Sequence, residues 1–251
     1  MKVLRTGLIL LCGLAIFRTT SAQEVNDTAK LFAEMKTLQS VYQQKALSFD
    51  IRYTYASELH PEALLDSLSG HADIAGSSYY YQLANTEMTA NDKYIVTLFK
   101  EDKIMYLSKP VSLNAADPLE QMRVSMKTAG VTRCSVTEKG TVKSIQVGFK
   151  EGGPYKELQM MFDKSSGYLI SMRYVLKTSL LMETTGGANG EVPEEYGEYA
   201  IVQSYYDNYK QLSEQQKRFD NTQFFYKEGD EFKPTAAYSE YKVFVGSPDL
   251  Q

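Results

Sequence analysis

The strongest constraint in this chain is a change of hydrophobic period. Leu47, Phe49, Ile51, Tyr53 and Tyr55 alternate with Ser48, Asp50, Arg52 and Thr54. A period of two puts every apolar side chain of the run on one face of a strand and every polar one on the other. The same alternation returns at Leu158, Met160 and Phe162, and again at Ile170, Met172 and Tyr174. Strands with one wet face belong to antiparallel sheets, not to the doubly covered sheets of α/β folds. The 19 Tyr and 11 Phe support that assignment, since aromatic side chains fit a pleated surface.

Turn residues divide the rest of the chain into short strands. Asn91-Asp92 precedes KYIVTLF (93–99), Glu101-Asp102 precedes KIMYLS (103–108), and Lys139-Gly140 separates strands at 132–138 and 142–149. Residues 68–83 read as strand broken at Gly76-Ser77-Ser78, and 86–90 as a short strand. Asp163-Lys164-Ser165-Ser166-Gly167 is a hairpin loop. Residues 196–209 and 238–245 supply late strands, and the Gly- and Glu-rich run 183–195 reads as a mobile loop. His60, before Pro61, reads as loop.

Two helices stand out. Leu31, Phe32, Met35, Leu38, Val41 and Tyr42 form one stripe behind a cap at Asn26, Asp27 or Thr28. Asp117-Pro118-Leu119-Glu120 is a capping box with Pro at the first helical position, and Gly130 fits the stop. That second helix carries only three strong apolar anchors, Leu119, Met122 and Met126. The fold expected is α+β and mainly β: a single curved antiparallel sheet of about ten strands, an incomplete barrel, with two or three helices over its concave face.

The first residues read as an address. Lys2 and Arg5 precede the apolar run 7–17, and Thr20-Ser21-Ala22 offers small residues for cleavage before Gln23. Eleven apolar residues are too few to span a bilayer, which takes about 20. Residues 1–22 are therefore expected to be a signal peptide, and 23–251 one exported domain without a membrane span. Without Lys2, Arg5 and Arg18, 24 bases stand against 31 acids, a formal charge of −7. That balance argues against nucleic acid as a partner.

Catalytic signatures are missing. His60 and His71 are the two histidines, and neither lies in a recognisable motif. With Cys12 in the signal segment, Cys134 is left without a disulfide partner. The carboxylates lie in turns and charge runs. The chain is read as a non-enzyme with no catalytic residue, no cofactor and no metal ligand set. What the pattern offers instead is apolar surface on facing strands, with a Met-bearing helix able to adapt to a ligand beneath it.

The order of these elements resembles the LolA-like family of periplasmic lipoprotein carriers. The resemblance runs through FDIRYTY (49–55), TEMTANDKYIVTLFKEDKIMYLSKP (86–110), DPLEQMRVSMKTAG (117–130), ELQMMFDKSSGYLISMRY (157–174) and YAIVQSYYDNYKQ (199–211). It implies a half-barrel whose apolar mouth is closed by helices, in the periplasm. It implies a lipid or lipoprotein acyl chain as ligand, with envelope proteins as further partners. Phe49, Ile51, Tyr53, Tyr55, Leu158, Met160, Phe162, Ile170, Met172 and Tyr174 would line the cavity. Leu119, Met122 and Met126 would form its lid. The alternative is an interaction module of an envelope assembly in which the sheet face is core and no cavity exists.

Overall fold

The computed structural model describes residues 28–110, 126, 128–185, 197–213, 217–247 and 250. The signal segment and the lid positions Leu119 and Met122 lie outside the described residues. Fourteen strands are described. Twelve form one sheet, in the order β14-β6-β5-β4-β3-β2-β1-β11-β10-β9-β8-β7. It is curved, dominated by antiparallel pairs and not closed into a barrel. Among the described residues no helix is long and apolar enough to cross a membrane.

The long strands form the middle of the sheet: β1 (Leu47–Ser57), β2 (His60–Ala75), β11 (Tyr199–Gln211), β10 (Leu169–Lys177) and β9 (Tyr155–Asp163). Short strands continue it on one side through β3 (Ser78–Leu83), β4 (Thr86–Ala90), β5 (Ile95–Phe99) and β6 (Ile104–Ser108). On the other side lie β8 (Val142–Phe149) and β7 (Val131–Lys139).

Helix α1 (Thr28–Gln44) crosses these strands. Its Leu31 packs with Cys134 and Ile145 of β7 and β8, and its Tyr42 meets Phe49 of β1 with ring centres 6.1 Å apart. The two ends of the helix thus rest on opposite parts of the sheet, and the face under α1 is termed the concave face. Glu34 on α1 accepts from Lys143 of β8 at 2.6 Å. Met126 is half-buried against the same cluster.

The concave alternation follows the sequence pattern closely. Ile51 is buried and Arg52 exposed. Arg173 and Glu157 point away together and pair at 3.3 Å. Ile170 departs from the pattern. An irregularity between Leu169 and Ser171 sets Leu169 opposite Phe162, and Leu169 joins the core cluster in its place. A bulge adds one residue, so the alternation on its two sides cannot stay in phase.

Other elements also differ from expectation. His60 begins strand β2, because the hairpin with β1 pairs it to Ser57. Pairing with a long neighbour overrides the weak strand propensity of residues 60–68. Residues 183–185 end a short helix, α2 (Thr178–Thr185), while the remainder of the expected loop lies outside the described residues.

The C-terminal part departs most. A small hairpin, β12 (Phe225–Glu228) with β13 (Glu231–Pro234), and the strand β14 (Lys242–Val245) come from residues 217–247. β14 joins the sheet parallel to β6. Val96, Leu98, Met105 and Leu107 face the convex side and are buried there by Phe224 and Phe225. The sheet therefore packs on both faces, at different ends: α1 covers the concave side of one part, and the C-terminal segment covers the convex side of the other.

Candidate concave binding face

Cross-strand partners share a face, so the register defines the concave surface row by row. One row runs Phe49, Ala72, Tyr81, Met88, Thr97, Tyr106 and Phe244, from β1 out to β14. A second runs Ile51, Gly70, Leu83, Thr86, Phe99 and Ile104. A third runs Leu47, Ile74, Tyr79, Ala90, Ile95 and Ser108. None of these positions carries a charge on the strands β1 to β6.

The expected cavity residues fall into two groups. Phe49, Ile51, Met160 and Phe162 are core. Phe49 lies among the rings of Tyr42, Tyr206 and Tyr209, stacked on Tyr209 at 4.9 Å. The space beside α1 bordered by Glu34, Leu38, Lys143 and Phe162 amounts to about 70 Å³. That is too small for an acyl chain. Tyr53, Tyr55, Leu158, Ile170, Met172 and Tyr174 remain half-buried.

Tyrosine hydroxyls gather at the boundary between the two groups. Tyr81 donates to Tyr53 at 3.3 Å. Ser204 donates to the hydroxyl of Tyr206 at 3.1 Å, which donates on to the sulfur of Met172 at 3.6 Å. Burial pushes Tyr174 and Tyr206 up to about 12 and raises Tyr53 and Tyr81 as well. Burial thus favours the neutral form of these side chains, which can still donate or accept a hydrogen bond.

Beyond them the rows mix buried small residues, Ala72, Ala90 and Thr97, with exposed aromatic ones. Phe99 and Tyr106 are each 40% exposed, and Phe244 beside them is 49% exposed. Met88 and Ile104 complete the surface between them, half-buried. An exposed apolar group of this kind marks a ligand or partner surface more often than isolated exposed side chains do. Sequence reasoning missed this half. The alternation of 95–99 and 104–108 was legible, but nothing local says which face the remote C-terminal segment covers.

The convex face carries a polar cluster that the sequence also hid. His71 places Nδ1 2.7 Å from Asp50 Oδ1 and Nε2 3.0 Å from Asp73 Oδ1. Ser48 Oγ lies 3.2 Å from the same Nε2. The Asp50 carboxyl is held below its usual range by the hydrogen bond from His71 and by a second from Asn208. Ser48, His71 and Asp50 have the outline of a nucleophile, base and orienter. Asp73 removes that meaning. Its oxygen faces the nitrogen that would take the serine proton, and its other oxygen accepts from Arg218 at 2.7 Å. The arrangement is a network that anchors the C-terminal segment to the sheet. Among the described residues no group of three His, Cys, Asp or Glu could hold a metal ion.

No protein-family model matches the sequence, and no curated protein matches it. Among solved structures, the chain is similar to an uncharacterized conserved protein from Thermus thermophilus. That match has 8% identity over 87% of this chain and 99% of the other, with a TM-score of 0.43. It is similar to a chain of the Pseudomonas aeruginosa MucA/MucB complex at 8% identity, over 74% of this chain and 59% of that one, TM-score 0.35. It is also similar to a putative outer membrane lipoprotein-sorting protein domain from Vibrio parahaemolyticus at 7% identity, over 76% and 96%, TM-score 0.32.

Proposed function

We propose that this protein is an exported, non-enzymatic carrier or binding protein that holds an acyl chain or a similar apolar ligand on its concave face. One observation carries the reading: Phe99, Tyr106 and Phe244 stand exposed together, beside rows across β1 to β6 that hold no charged residue, on a face whose other half is closed by α1. The ligand lies on the β3–β6 side, against Tyr81, Met88, Phe99 and Tyr106. It meets the half-buried Tyr53, Met172 and Tyr174 at its inner end. This shifts the site from the core residues under α1 to the open rows beside them.

Export follows from the arrangement of residues 1–22, and sequencing of the exported protein is expected to begin at Gln23. Native mass spectrometry of that protein is expected to show co-purified lipid. Phe99→Asp places a charge on the open face and is expected to abolish binding of a solvatochromic apolar probe with the sheet still folded. A bare protein that binds no probe would instead favour an interaction module of an envelope assembly.

A further inference from the structure

We infer that the middle of the concave face is a charge filter, which accepts a neutral amphiphile and rejects its ionised counterpart. The inference rests on the carrier reading and adds a rule for the ligand. The three rows crossing β1 to β6 hold no Asp, Glu, Lys or Arg. Tyr81 stands in the first of these rows, and the hydroxyls of Tyr53, Tyr206 and Ser204 lie beside it. These tyrosines stay neutral well above physiological pH.

A carboxylate brought to this point would lose its hydration and, among the described residues, meet no cation. An ester or amide carbonyl gives up far less hydration and can accept a hydrogen bond from a tyrosine hydroxyl.

The described cations near this face do not change the outcome. Lys242 shares the concave side but is exposed on β14, at the sheet edge. It stands four strand steps from Tyr81, about 19 Å at ~4.8 Å per step. Lys143 shares the concave side at the β8 end of the sheet, beside α1, and is paired with Glu34 and Glu138. Arg52 lies on the convex side over the ring of Tyr205, and Arg173 pairs with Glu157. Asp66, opposite Tyr55 at the hairpin end, adds negative charge and opposes an anion further.

A matched pair of probes tests the filter: a pyrene-labelled dodecanoic acid and its methyl ester, titrated below their aggregation concentrations into the exported chain. At pH 8 the ester is expected to bind at least about tenfold more tightly, and the gap to close as the pH falls and the acid becomes neutral. The double variant Tyr53→Phe, Tyr81→Phe keeps the rings and removes the hydroxyls. It is expected to weaken the ester about three- to tenfold with unchanged circular dichroism. Equal or tighter binding of the ionised acid, or an ester affinity indifferent to the two hydroxyls, would overturn the filter and leave the carrier standing. Failure of both probes to bind would overturn the carrier reading itself.

Discussion

Arg218 donates to the carboxylate of Asp73 at 2.7 Å, and this contact joins the C-terminal segment to a strand 145 residues earlier. Asp73 is 1% exposed, so its charge depends on the partners that reach it. Removing one partner of a buried charge leaves the full desolvation penalty of the other. Arg218→Ala is expected to lower stability by about 1–3 kcal/mol, because His71 remains and Arg218 itself is half exposed. Lys103→Ala, which loses an exposed pair 3.9 Å from Glu240, is expected to cost under about 1 kcal/mol. Urea unfolding of the two variants compares them directly; equal losses would mean that Arg218 is a surface charge like any other.

Alkaline stability is expected to follow the buried tyrosines. Burial raises Tyr174 and Tyr206 from 10.0 to about 12, so the folded state keeps them protonated after the unfolded chain has begun to ionise. Their contribution is fully present below about pH 10 and is lost as the pH rises toward 12. Absorbance at ~295 nm should therefore show a late tyrosinate step between about pH 11 and 12, coincident with loss of near-ultraviolet circular dichroism. A single step near pH 10 with the fold intact would contradict the burial of this set.

The acid limb has the opposite sign. Asp163 is lowered to about 2 by hydrogen bonds from Ser165 and Ser166 in the β9–β10 turn, and Asp50 is lowered by His71 and Asn208. A depressed carboxylate contributes above its unfolded value, near 3.8, and loses that contribution as the pH falls through its folded value. Stability should decline between about pH 4 and 2. Asp163→Ala is expected to flatten that decline in urea midpoints taken across the range.

Much of this architecture was legible locally because strands announce themselves by period. The alternation of 47–55 fixed both the strand and its faces, and the stripe from Leu31 to Tyr42 fixed the helix that lies on it. What local pattern cannot carry is partnership at long range. Val96, Leu98, Met105 and Leu107 alternate with Thr97 and Tyr106, and both sets are apolar enough to face a core. The decision belongs to Phe224 and Phe225, more than a hundred residues later. His71 and Asp50 looked like surface residues because their contact exists only once β1 and β2 pair in this register. The same holds for the candidate face: the alternation marked its apolar side chains but not which of them α1 would cover.

Gly167 shows how closely α1 is held. It adopts φ +74°, and a Cβ placed there would lie 3.0 Å from Val41 Cγ2 on the helix. Gly167→Ala carries both the left-handed backbone cost, about 1–2 kcal/mol, and the contact with Val41. The double variant with Val41→Ala should recover the steric part alone. Thermal melts of the single and double variants separate the two, and a double variant no more stable than Gly167→Ala would show that α1 is free to move away.

The division of the concave face into a closed and an open half makes opposite demands on two phenylalanines. Phe49 is 4% exposed among three tyrosine rings, whereas Phe99 is 40% exposed on the same side of the same sheet. Truncating a buried Phe removes its transfer energy and leaves a cavity, about 3–5 kcal/mol. Truncating one that is largely hydrated removes little that folding gained. Phe49→Ala is expected to lose about 3–5 kcal/mol, and whatever binding survives should track the folded fraction. Phe99→Ala is expected to cost under about 1 kcal/mol while weakening an apolar probe severalfold in a fully folded protein. Denaturant melts and a probe titration on this pair distinguish packing from binding. If Phe99→Ala unfolds the protein as Phe49→Ala does, the open half is core, and the ligand face assigned here does not exist.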